Sequence, residues 1–285
     1  MAQEMRRNGD IMILVEMLSY PFIARAFIVG ILVSLCAALL GVSLVLKQYS
    51  MIGDGLSHVS YGALSIALAC NIAPLKLSIP IVVAAAFLLL RMTEKGIMRS
   101  DAAIAAVSAS ALAIGVSVTS LTTGMTTDVN SYMFGSILAM TQEDVWLSVG
   151  LSIVVLALFG FCYHHIFAVT FDENFGKATG VKVSFYNSMI AILTAVTIVL
   201  GMQMMGAMLI SSLVIFPALT SMRLFQSFRG VVITSGILSV VCFCIGMLIS
   251  YQSAMPAGAS VVLVNLGAFL VFFVLQKAKE LFGRG

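Results

Sequence analysis

Apolar residues in this chain fall in runs of about twenty, parted by short polar segments, from one end to the other. The runs cover 20–46, 51–72, 74–92, 102–122, 145–167, 183–203, 204–222, 229–250 and 257–276. Each can cross about 30 Å of hydrocarbon as an α-helix. The pattern predicts an all-α, polytopic helical membrane protein of about nine spans, roughly eight to ten once boundary error is allowed for. The stretch 183–222 is too long for one crossing and is interrupted at Gly201-Met202-Gln203-Met204-Met205-Gly206. It forms either two crossings or a broken helix with a short re-entrant piece. Residues 1–19 read as an N-terminal interfacial segment, 20–276 as a single transmembrane domain and 277–285 as a cytoplasmic tail. Glu16 interrupts the apolar stretch 11–18 and no A-x-A site follows, so no cleaved signal is expected.

Composition agrees. The chain is 61% hydrophobic and 9% charged, against about 25% charged in a soluble domain. The basic residues are scattered through short loops, which excludes nucleic acid as a partner. They also set the orientation. Lys47, Arg91, Lys95, Arg99, Lys177, Lys182, Arg223, Arg229, Lys277, Lys279 and Arg284 fall on one side, and Arg6, Arg7, Arg25 and Lys76 on the other. The richer side is cytoplasmic, with the N-terminus outside and the C-terminus inside. The outer loop 123–144 then holds Asp128, Glu143 and Asp144 with no basic residue. It is either a mouth that attracts cations or an ordinary solvated loop. Cys36, Cys70, Cys162, Cys242 and Cys244 form no CxxC pair and read as small core or lipid-facing residues. Small residues crowd the fourth and seventh spans, which points to interior positions where helix backbones approach closely.

Asp54 and His58 are the candidate chemistry. Four residues apart, they share one helix face and offer an oxygen and a nitrogen donor to a divalent transition metal. Ionisable groups at membrane depth are costly and mark function by default. The bland alternative is that Asp54, between Gly53 and Gly55, caps a helix start and His58 is a satisfied core residue. His164 and His165 are adjacent, point about 100° apart on a helix and read as interfacial anchors. The polar stretch 171–180 begins Phe171-Asp172-Glu173 and ends at Gly180, the signature of a short helix with an acidic start and a glycine stop. Such a helix under the membrane could dock a partner, or be a plain connection. Pro217 frees one backbone carbonyl inside the seventh span, and Ser211 and Ser212 are near enough to satisfy it. Pro256 opens the last span. The chain has no phosphate-binding loop, no H-E-x-x-H helix and no G-x-S-x-G elbow. It has no ATPase site of its own.

Five segments, in order, resemble the membrane permeases of ATP-binding-cassette importers for zinc, manganese and chelated iron. They are Gly53-Asp54 with Leu56, His58 and Gly62; Ser131-Tyr132-Met133-Phe134-Gly135-Ser136-Ile137-Leu138; Phe171-Asp172 through Gly180-Val181; Met205-Gly206 through Phe216-Pro217-Ala218; and Pro256-Ala257-Gly258 through Leu263. The resemblance spans about Tyr20 to Gln276. It implies a type II importer-like permease in a bacterial plasma membrane, working as two copies. Cytoplasmic ATPase subunits would sit below, and an extracytoplasmic metal-binding protein would deliver the ion. By the same resemblance Asp54 and His58 contact the metal in transit, and Phe171, Asp172, Glu173, Phe175, Ala178 and Gly180 couple to the ATPase. Gly53, Gly62, Gly206 and Pro217 are packing or kink positions. No permanently bound cofactor is expected; the metal is cargo. Ser60-Tyr61-Gly62 stands where manganese-type relatives have Leu-Pro-Gly, which is similar to the zinc branch and favours zinc over manganese or iron. Ser136 and Ala218-Leu219-Thr220 depart from the family pattern. Outside this resemblance, an ion-gradient-driven transporter and a membrane-embedded enzyme remain as alternatives.

Overall fold

The computed structural model describes residues 21–122, 141–253 and 255–282. Eleven helices lie among them: α1 (Pro21–Leu46), α2 (Ile52–Ala69), α3 (Pro74–Glu94), α4 (Ser100–Leu121), α5 (Gln142–Phe161), α6 (Tyr163–Phe171), α7 (Glu173–Ala178), α8 (Val183–Met205), α9 (Ala207–Leu224), α10 (Phe228–Ser253) and α11 (Ala257–Phe282). All except α2, α6 and α7 are long and apolar enough to cross a membrane, which makes eight. Helix α2 occupies the remaining predicted span, 51–72. Its 18 residues span about 27 Å, but Asp54, His58 and its serines and tyrosine dilute its hydropathy. A helix this polar is tolerated at membrane depth when protein rather than lipid surrounds it, and thirteen of its residues are buried.

The centre of the bundle is α1 and α8, whose most apolar windows are 67% and 83% buried, against 22% for α4, α5 and α11. Helix α1 packs on α9, α10, α8 and α5. Across the α1–α10 seam Ser235 Oγ donates to the Ala38 carbonyl at 3.2 Å and Ser239 Oγ to that of Ser34 at 2.9 Å. Phe27 meets Phe243 edge to face with ring centres 5.9 Å apart. In lipid no hydrophobic force draws helices together, so close packing and hydroxyl hydrogen bonds carry the association.

The stretch 183–222 resolves into two helices that meet at one residue. Gly206 has φ +85°, a backbone setting that costs a residue with a Cβ but not glycine, and α8 ends there as α9 begins. The predicted fifth span, 145–167, is instead two helices: α5 stops at Phe161, and α6 starts after Cys162, whose ψ is 9°. Helix α9 runs through Pro217. The carbonyl that Pro217 frees does not receive Ser211 or Ser212, because their hydroxyls donate to Ala207 at 3.0 Å and Leu209 at 2.9 Å. The last helix continues past 276 to Phe282.

The expectation that both small-residue spans are interior holds for α9 and half holds for α4. Ala103, Ile104, Gly115 and Thr119 of α4 are buried, whereas Ala102, Ala105, Ala106, Ala109 and Ser110 are exposed in the protomer. The small side chains serve one seam, against α2. A methyl added at Gly62 would sit 2.7 Å from the Ala111 carbonyl oxygen, and one at Gly115 would sit 3.0 Å from the Gly62 Cα. The two backbones therefore touch. At Phe87–Leu90 only Phe87 and Leu88 face outward, since Leu89 and Leu90 are buried; Leu270, Val271, Val274 and Leu275 are exposed, as a lipid-facing stretch requires.

Substituting Gly62→Val forces α2 away from α4, because backbone rather than a flexible side chain blocks the new methyls. The expected cost is about 1–3 kcal/mol, read as a lowered Tm of the detergent-solubilised protein. Gly267→Ala on α11, where an added methyl meets nothing within 4 Å, should leave Tm unchanged or raise it slightly.

Candidate functional site

Helix α2 begins at Ile52 with Met51 as its N-cap, and no side chain caps it. Asp54 therefore sits inside the first turn, not at the cap, and the purely structural capping role does not apply. Its carboxylate still faces the positive end of the helix dipole. The neighbours of α2 define where the pair points. A methyl at Gly53 would meet Ser211 Cα and Val214 of α9 at 3.6–3.9 Å, and one at Gly55 would meet Ile104 of α4 at 2.5 Å. With about 100° between successive residues, Asp54 and His58 look into the gap between α9 and α4. At 3.6 Å a methyl makes ordinary contact, so packing does not demand glycine at 53 as it does at 62.

Within that gap Asp54 Oδ2 lies 3.6 Å from His58 Nε2. This is ion-pair range but longer than a hydrogen bond. The Asp54 side chain is 49% exposed and that of His58 22%. His58 Nδ1 is buried with no protein hydrogen-bond partner among the described residues, so no second contact fixes the imidazole tautomer. Around the pair the hydroxyls are spent on their own helix: Ser57 Oγ donates to Gly53 at 2.7 Å and Ser65 Oγ to Tyr61 at 3.0 Å. No group of three or more His, Cys, Asp and Glu side chains able to hold a metal occurs among the described residues. One protomer thus presents two donors on a half-open face.

Polar chemistry gathers at a second place, next to the start of α2. Asp172 caps α7, its Oδ1 accepting from Asn174 N at 2.9 Å and Phe175 N at 3.0 Å. Gly180, with φ +84°, closes the segment, so the short helix follows its sequence signals at both ends. Gly176 tucks under Val183, while Phe171 and Phe175 are 57% and 62% exposed, presenting two aromatic rings on one short surface. Glu173, with its side chain 43% exposed, reaches back to the bundle. It accepts from Lys47 Nζ at 2.7 Å and from Asn187 Nδ2 at 3.1 Å. Asn187 also donates to Glu94 at 3.0 Å, and its carbonyl accepts from Lys47. Burial pushes the Glu173 carboxyl up, but the hydrogen bonds from Lys47 and Asn187 and the lysine charges outweigh it and hold it below its ordinary value.

Among the other candidates, His165 stacks on Tyr186 at 4.7 Å between ring centres and His164 meets Tyr163 edge-on at 5.6 Å, so the two histidines do not converge on one point. The five cysteines are free. Residues 123–140, which include Asp128 and Ser131–Leu138, lie outside the described residues, as do residues 1–20. Glu143 and Asp144 open α5, where Asp144 and Thr141 form a reciprocal cap. Sequence reasoning missed Lys47, Glu94 and Asn187. The available signal was Asn187 itself, a polar side chain one turn into an apolar span.

Residues 19–276 match the family model described as the ABC 3 transport family, and the chain belongs to that family. It is a multi-pass membrane permease of the metal-importing ATP-binding-cassette class, in which ATP hydrolysis belongs to a partner subunit. This replaces the gradient-driven transporter and the membrane-embedded enzyme. The chain is 29% identical to the manganese import system permease protein ScaB of Streptococcus gordonii over 92% of its own length and 94% of that protein's. It is 25% identical to the manganese transport system membrane protein MntC of Listeria monocytogenes over 90% of its length and 91% of that protein's. In three dimensions it is similar to PsaBC of Streptococcus pneumoniae, with a TM-score of 0.84, 26% identity, and 95% of this chain and 99% of that one covered.

Because its folded value is lowered, the Glu173 carboxylate stabilises the docked α7 at neutral pH. That contribution fades as the pH falls below about 4.5, the group's ordinary value. Amide exchange over 173–178, corrected for its intrinsic rate, should be flat from neutral pH down to the carboxylate range and rise below it. Glu173→Gln should remove the step; a step that persists in that variant assigns it to another group.

Proposed function

We propose that this chain forms the translocation path of an ATP-driven importer of divalent transition metal ions, with manganese the principal cargo and Asp54 and His58 the residues that touch it. The observation that carries the reading is the placement of those two side chains, 3.6 Å apart on the half-open face of α2 between α4 and α9. Two donors are too few for a resident site, which needs four to six ligands. They suit a cation that must also leave. A two-fold arrangement of protomers would bring two such pairs together and supply four donors.

Ser60-Tyr61-Gly62 favours zinc. The relatives named for manganese, at 25–29% identity over nine-tenths of the chain, favour manganese instead, and a carboxylate–imidazole set accepts either ion. Weight goes to manganese, because those likenesses rest on whole chains and the zinc reading on one turn. Iron is the third possibility.

The orientation follows the basic residues. Lys47, Lys177 and Lys182 gather near α7, with Arg91 and Lys95 at the end of α3, which puts that end in the cytoplasm with the N-terminus outside and the C-terminus inside. Phe171, Asp172, Glu173, Phe175, Ala178 and Gly180 then form the surface on which an ATPase subunit docks, with the rings of Phe171 and Phe175 as anchors. An extracytoplasmic metal-binding protein serves the opposite face.

In liposomes holding the permease with its ATPase and metal-binding partners, Asp54→Ala and His58→Ala should each abolish ATP-dependent uptake, read by mass spectrometry of trapped metal, while the complex still assembles. Uptake at the unaltered rate in both variants would falsify the site. With equal external manganese and zinc, trapped manganese should predominate; predominant zinc returns the assignment to the Ser60-Tyr61-Gly62 reading.

A further inference from the structure

The Lys47 cluster joins four parts of the chain that are remote in sequence. Lys47 follows the last residue of α1, Glu94 ends α3, Glu173 begins α7 and Asn187 lies one turn into α8. Asn187 is the hub: its carbonyl accepts from Lys47, and its amide donates to Glu94 and Glu173. The Lys47 side chain is 10% exposed and Asn187 is 5% exposed. The Lys47–Asn187 end is shielded, while the Glu173 side chain is 43% exposed and Glu94 lies at the surface; a shielded charge such as that of Lys47 is costly to leave unpartnered.

The connection from Lys47 into the metal helix is short and tied down. Tyr49 N donates to the Leu44 carbonyl at 2.8 Å, Ile52 N to Tyr49 at 3.0 Å and Gly55 N to Met51 at 3.1 Å. Gln48 takes φ 61°, a setting rare outside glycine, and Tyr49 and Thr93 of α3 line one cavity. Only six residues separate Lys47 from Asp54, and nearly all have fixed backbone partners. Between the network and the bundle lies a cavity of about 30 Å³ lined by Lys47, Tyr49, Ile52, Thr93, Ile104 and Asn187. It touches the first residue of α2 on one side and α4 on the other, so packing there leaves room for a small shift.

We propose that Lys47, held by Glu173 and Asn187, is the positioning residue that carries displacement of α7 to the first turn of α2 and so to Asp54 and His58. The inference rests on the import reading above, in which α7 is where the ATPase acts. When α7 moves, Glu173 moves with it. Lys47 follows through a charge-assisted hydrogen bond, and the tied 47–54 segment shifts the metal-contacting turn. Coupling of this kind needs a two-state element that both ends bias. Here that element is the start of α2 between its α3 and α4 neighbours.

The test uses the complete importer in liposomes, with ATP hydrolysis and trapped manganese measured on the same sample. Lys47→Met keeps the stem of the side chain and removes its charge. It should lower the number of ions trapped per ATP by about tenfold, roughly 1.4 kcal/mol of coupling, with the hydrolysis rate held. Asn187→Leu, which removes the hub at similar volume, should do the same, and Lys47→Arg should restore the ratio. An unchanged ratio in both Lys47→Met and Asn187→Leu overturns the proposal. So does a parallel fall of hydrolysis and uptake that Lys47→Arg does not relieve, since that is the behaviour of a part needed only for folding. If the unaltered complex hydrolyses ATP but traps no metal, the import reading itself fails; if it traps metal and only the variants are indifferent, the link alone fails.

Discussion

The fold depends on how close α2 can come to α4. A helix with a carboxylate, an imidazole and several hydroxyls is a poor guest in lipid, and its hydropathy alone would not mark it as a span. Contact of bare backbone at Gly62 and Gly115 draws it against a neighbour at a distance no larger residue permits. The seam leaves no room for lipid between the two helices. Tyr61 then packs against Gly115, Thr119 Oγ1 reaches Ser65 Oγ at 3.4 Å, and the hydroxyls of Ser57 and Ser65 turn back onto carbonyls of their own helix, as serines do in membrane helices. The Asp54–His58 edge is left without such an arrangement. The site is the part of a polar helix that its packing does not close.

A second consequence follows from the shortness of the link between α1 and α2. A long loop would let α2 float. A tied five-residue connection makes its first turn an extension of α1, which packs against α8, α9 and α10 at the centre of the bundle. The Lys47 cluster holds that connection to α7 and α8 from the side. Position and charge are thus set by different parts: α1 and α4 fix where α2 lies, and the network fixes how its first turn answers to α7.

Much of this was legible in the chain. Runs of about twenty apolar residues can do little else than span a bilayer, so the helices and most of their limits follow. The short α7 was legible because Asp172 and Gly180 carry their conformational preferences with them. What the periodicity could not give was contact across sequence distance. The break at Cys162 carries no proline, and Gly160 just before it lies inside an apolar run that reads as continuous. Small residues on α4 announce a close approach but not on which side, which is why one face proved packed and the other open. Ser211 and Ser212 were within reach of the carbonyl freed by Pro217, yet each found a nearer acceptor in its own turn. Lys47 and Glu173, 126 positions apart, become neighbours only once the four long helices α2 to α5 between them have packed.

The central claim is that Asp54 and His58 face a water-accessible path rather than lipid or sealed core. In a background lacking the five native cysteines, single cysteines at 54, 58 and the lipid-facing position 154 of α5, where the native valine is 50% exposed, can be challenged with a charged, water-soluble thiol reagent. The account predicts labelling at 54 and 58 of the assembled importer and none at 154. Labelling at 54 and 58 as slow as at 154 would contradict it.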